Sequence, residues 1–130
     1  GGRALPLTGN LEADIRFAST FVARMFDDPS LAAMLPEIVR GVLANPPDVS
    51  FEAVAPRRRE LARIYTERGA TEGFATDVDP NLAFDIVLGT SIAYLLANRR
   101  PMSDAEADRL AAVVIEGLRA SASGDAGSGA

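Results

Sequence analysis

The stretch LAFDIVLGTSIAYLLAN, residues 82–98, decides the architecture. It is apolar nearly all round: Leu82, Ala83, Phe84, Ile86, Val87, Leu88, Ile92, Ala93, Leu95 and Leu96 leave no wide polar face. Its apolar residues do not alternate with polar ones as in a half-buried strand, and the run 82–97 is too short for a bilayer and carries Asp85. A helix covered on more than one side is the reading that remains. Local signals agree, because Asp79-Pro80 supplies a cap and a helix-starting proline. At the other end Arg99 and Arg100 suit the negative pole of the dipole, and Pro101 closes the segment.

The next helix opens on a capping box, Ser103-Asp104-Ala105-Glu106, and runs to about residue 120. Leu110, Val114, Gly117 and Leu118 share one stripe, and Val113 and Ile115 extend apolar surface beyond it. Two covers suit so much apolar surface. One is a monomer in which residues 82–98 form a fully buried central helix. The other is a two-fold dimer in which the last two helices of each copy build a four-helix interface, Gly89 and Gly117 letting backbones approach closely.

Working back toward the N-terminus, residues 11–26 form a helix with Leu11, Ile15, Ala18, Val22 and Met25 on one stripe, widened by Phe17, Phe21 and Phe26. Such a face either sits under several helices or lines a cavity. Asp28-Pro29 starts a second helix, broken or kinked at Pro36 and ended by Asn45-Pro46-Pro47. A short helical turn follows Ser50. Pro56 then opens a longer helix over residues 57–72, with Leu61, Ile64, Tyr65 and Arg68 on one side, Gly73 as its stop and Gly69 as the rival stop. The expectation is an all-α bundle of about six helices: residues 11–120 form one domain, residues 1–10 a disordered linker, and residues 121–130 a disordered Ser/Gly/Ala tail.

Composition excludes much chemistry. The 130 residues contain neither cysteine nor histidine, which removes disulfides, thiolate and imidazole catalysis and the usual zinc ligands. Net charge is −5 and every cation is arginine, so this domain should repel nucleic acid. The arginine bias alongside abundant Ala, Gly and Pro points to a GC-rich bacterial genome. No signal pattern leads the chain, and the expected location is cytoplasmic. No Ser, His, Asp arrangement, phosphate loop or nucleotide fingerprint appears, so an enzyme is not expected, nor a metal or cofactor.

Three stretches together resemble the C-terminal domain of the tetracycline-repressor (TetR) family. Leu7-Thr8-Gly9-Asn10-Leu11-Glu12-Ala13-Asp14-Ile15 is similar to the segment leading from the family's DNA reader into its regulatory domain. Pro56-Arg57-Arg58, followed by Glu72-Gly73-Phe74 and Asp77-Val78-Asp79-Pro80, resembles the long ligand-domain helix and the turn after it. Leu88-Gly89 with Ile92, Tyr94, Leu95 and Leu96 is similar to the penultimate, dimer-forming helix. The resemblance implies a pocket for a small-molecule effector among the first helices and the long central one. It also implies a homodimer through the last two helices, and operator DNA bound by a helix-turn-helix of the parent that is absent from this sequence. Dimer contacts are then expected at Leu88, Gly89, Ile92, Ala93, Leu96, Leu110, Val113, Val114 and Gly117.

The pocket candidates are Phe17, Phe21, Met25, Met34, Leu61, Tyr65 and Phe84, although aromatic and Met stripes at helical spacing are more often core. Arg57-Arg58-Arg59 sits where positive charge opposes a helix dipole, which suggests an anion handle or a contact with the reader, against the plainer reading of a solvated face. Arg24 and Arg68 are similar candidates. Asp27-Asp28 and Asp77/Asp79 precede prolines and read as caps and turn formers rather than metal ligands.

Overall fold

The computed structural model describes residues 7–45 and 54–128. Five helices make up this part: α1 (Leu11–Met25), α2 (Pro29–Ala44), α3 (Ala55–Arg68), α4 (Leu82–Asn98) and α5 (Asp104–Ser128). The short turn expected after Ser50 lies outside the described residues; about six helices were expected, and five stand among the described ones.

The centre of the bundle is α1, not α4. Asn10 caps it by accepting from the Ala13 amide, and Glu12 and Asp14 place acidic groups at its positive pole. Leu11, Ile15, Ala18 and Val22 repeat at spacings of four and three and are completely buried, because α3, α4 and α5 all pack against this helix. The broad stripe therefore lies under several helices. Around it gather Phe74, Phe84, Leu61 and Val87 as one core. In this chain α4 is not wrapped all round: it buries Ala83, Phe84, Val87 and Ser91 and leaves Leu82, Ile86 and Leu96 exposed.

Pro36 does not break α2, which runs from Pro29 to Ala44. Proline removes one backbone hydrogen bond, but Pro36 is exposed and the turns on both sides stay helical. Asp28 caps the helix through the Ser30 amide, as its position before proline implies. Of all its side chains α2 buries only Leu35.

Helix α3 ends at Arg68 rather than at residue 72, with Gly69 as its C-cap. A Cβ at Gly69 would stand 2.6 Å from the Tyr65 carbonyl oxygen, so the close turn there needs glycine. Gly73, with φ at +83°, closes the turn that follows. The early stop delivers Phe74 into the core, its ring edge-on to Tyr65 at 5.8 Å between centroids.

The corner between α4 and α5 realises the capping box. Glu106 accepts from the Ser103 amide at 2.9 Å and Ser103 Oγ accepts from the Glu106 amide at 3.2 Å. The same carboxylate takes a bond from Arg100 at 2.9 Å and another from the Tyr94 hydroxyl. Arg100 and Tyr94 together hold it well below the usual carboxylate range. Helix α5 continues past residue 120 to Ser128. Among the described residues no helix is long and apolar enough to cross a membrane.

Candidate functional site

On the outer side of α4, Leu82, Ile86, Gly89, Ala93 and Leu96 follow one another at spacings of four, three, four and three, the repeat of a helix seam. All five are exposed, Leu96 at 58%. Beside them on α5 lies Val113, also 58% exposed, with Gly117 one turn further on. A groove of about 300 Å³ runs between the helices, lined by Leu82, Ile86, Val113 and Gly117 among others. A Cβ at Gly89 or Gly117 would meet nothing within 4 Å, so packing inside this chain does not call for glycine at either place.

Of the expected dimer contacts, Gly89, Ala93, Leu96, Val113 and Gly117 stand on this face, and Leu88, Ile92 and Leu110 are half-buried along its inner edge. Val114 is 4% exposed and packs inward with Ile115 and Leu118, one helical step round from Val113, and it also lines the groove. Leu82 and Ile86, apolar in the run but not among the expected contacts, stand on this face as well.

The seven pocket candidates divide. Leu61, Tyr65 and Phe84 are buried in the main core, and Phe21 and Met25 are half-buried against it. Phe17 stacks on Phe21 at 6.2 Å between centroids yet is 40% exposed, and Met34 on α2 is 54% exposed. A cleft of about 340 Å³ does lie beside α3, but its walls are Tyr65, Thr66, Ala70, Thr76, Val78 and Pro80. Only Tyr65 belongs to both sets. Its hydroxyl donates to the Ala75 carbonyl at 2.7 Å, and burial pushes the phenol pKa up. Thr66 is also on α3, and the remaining walls come from the turn between α3 and α4, which carries no hydrophobic period to mark it in sequence.

The arginines are largely structural. Arg58 grips Asp85 through two parallel bonds of 2.6 and 2.7 Å, joining α3 to α4 and raising the guanidinium pKa. Arg57 lies over the Phe21 ring at 4.5 Å, and Arg59 points to solvent. Arg24 pairs with Asp104 at 3.4 Å and Asp27 at 3.6 Å and donates to the Met102 carbonyl. Arg68 approaches Glu72 at 4.0 Å. Asp79 acts as a turn former: the Asn81 amide donates to it at 2.8 Å, and that bond lowers its pKa.

A core centred on one helix, a two-helix apolar face left open and a small cleft beside α3 make an all-α bundle domain. The family model described as "Tetracyclin repressor-like, C-terminal domain" matches residues 5–114, and the chain belongs to that family. No curated protein and no solved structure matches the chain.

Proposed function

We propose that the chain is the effector-binding and homodimerising domain of a TetR-type transcriptional repressor, with operator DNA bound through a helix-turn-helix of the parent protein. The observation that carries this reading is the exposed seam of α4, Leu82 to Leu96 in register with Val113 and Gly117 of α5. A two-fold axis makes such a patch its own partner and allows four helices to close over it. The effector is small and mainly apolar, and the cleft beside Tyr65, at about 340 Å³, is within the size range of small-molecule sites. An effector acts by preferring one relative setting of the two subunits, so that its binding shifts the population of reader spacings.

A second reading, a helical dimerisation module without a ligand pocket, is favoured by the burial of Leu61 and Phe84 in plain core. Sedimentation equilibrium and thermal shift separate the possibilities. A dimer whose melting temperature rises with the concentration of one apolar metabolite supports the sensor. A dimer indifferent to a broad library supports the module, and a well-folded monomer at high concentration removes both.

A further inference from the structure

The N-terminal pole of α1 is held from a distance. Its Leu11 and Glu12 amides, which no helix can satisfy internally, donate to the two carboxylate oxygens of Glu72 at 2.8 and 3.3 Å. Glu72 stands in the turn between α3 and α4, and its side chain is only 13% exposed, so water competes weakly for these bonds. The same turn is fastened to α5. The Ala75 amide donates to the Leu118 carbonyl at 3.1 Å, and Arg119 Nε donates to the Glu72 carbonyl, also at 3.1 Å. Arg119 further reaches Glu12 at 2.5 Å and lies over the Phe74 ring. Ahead of α1, buried Asp14 accepts from the Thr8 amide, the Thr8 hydroxyl and the Gly9 amide at 2.7, 2.9 and 3.0 Å. The described part of the segment expected to be a disordered linker, residues 7–10, is therefore tied down.

We propose that Glu72 is a positioning residue that couples the lead-in segment and the start of α1 to α5, so that a displacement of α5 at Arg119 is felt at Thr8. Charge-assisted hydrogen bonds lose strength steeply with length and angle, so a junction built from them senses a small shift of α5 relative to the start of α1. Elsewhere α1 and α5 are joined by Ser19 to the Ala107 carbonyl, by Arg16 to Asp108 and by Arg24 to Asp104, and none of these involves the lead-in segment. The coupling stands whether or not an effector binds.

Amide hydrogen exchange on the whole chain tests it. Arg119→Ala removes the α5 side chain that holds Glu12 and the Glu72 carbonyl but touches neither Thr8 nor Gly9; it should raise exchange at Thr8, Gly9, Leu11 and Glu12 by roughly tenfold or more, while amides of α3 and α4 change by less than about twofold. Glu72→Gln, nearly isosteric, should have the same effect at Leu11 and Glu12. Arg16→Ala, which removes the exposed bridge to α5, should leave those four amides as they are. Unchanged exchange at residues 8–12 in Arg119→Ala, or a uniform loss of protection over all helices in both junction variants, overturns the proposal.

Discussion

Helices α1 and α4 pack against each other, and the one with the greasier sequence is the less buried. Four apolar side chains of α1, at Leu11, Ile15, Ala18 and Val22, are wholly inside, while α4 exposes Leu82, Ile86 and Leu96. Apolar content does not set depth; the extent of packing does, for α1 and α4 each meet three other helices, but α4 meets α3 and α5 far less extensively than α1 meets α4 and α5. The surplus on α4 is what supports the proposed pairing of two copies, since contiguous exposed apolar surface marks interaction sites.

The sharpest way to break that contrast is to truncate one residue on each helix. Ile15→Ala should cost about 2–5 kcal/mol in a urea melt, through lost transfer energy and a residual cavity. Leu96→Ala should change the stability of the isolated subunit by less than about 0.5 kcal/mol. Equal losses at both positions would erase the distinction. Charge on the seam probes the same point from the other side. Leu96→Glu combined with Val113→Glu should weaken self-association by roughly a hundredfold with the helical circular dichroism unchanged, because two carboxylates would be desolvated against their symmetry mates.

Two buried serines offer a finer contrast. Ser19 on α1 donates to the Ala107 carbonyl at 2.6 Å, whereas Ser91 Oγ on α4 has no hydrogen-bond partner among the described residues in its buried site. Removing the first hydroxyl should destabilise by about 1 kcal/mol, and removing the second should be neutral or stabilising by a similar amount. A loss at both would mean that Ser91 is satisfied after all. The smallest effect is expected at the exposed Glu106 corner that joins α4 to α5. Its folded carboxylate sits below the ordinary value of 4.5, so its contribution is fully present above that pH and is lost as pH falls toward the depressed value. Thermal melts from about pH 6 to about pH 2 should therefore show a shallower acid decline in Glu106→Gln than in the parent chain.

Caps and stops that act over a few residues were legible. Asp28 before Pro29 and Ser103 with Glu106 hold the helix starts that their spacing announces. Of the two readings at Pro36, a break is not what forms: the lost bond is local and the flanking turns stay helical. Gly73 misled, for its positive φ belongs to the turn after the helix, while the C-cap is Gly69, where a side chain would crowd Tyr65. For the binding side chains, the aromatic and Met stripes were recognisable but their surroundings were not. Leu61 and Phe84 lie in the core, Phe17 and Met34 at the surface, and the cleft is walled largely by a turn without periodicity. Glu72 gave no sign at all of capping a helix that begins 61 residues earlier.

Helical content, the places where helices begin, and the excess of apolar surface near the C-terminus all follow from hydrogen bonds and side-chain periods within a turn or two, and these are written in consecutive residues. Which helix lies at the centre, which valine of the pair Val113 and Val114 points inward, and which carboxylate closes α1 depend on segments far apart in the chain meeting in space. Burial is a sum over such neighbours, and no single stretch of the chain carries that sum.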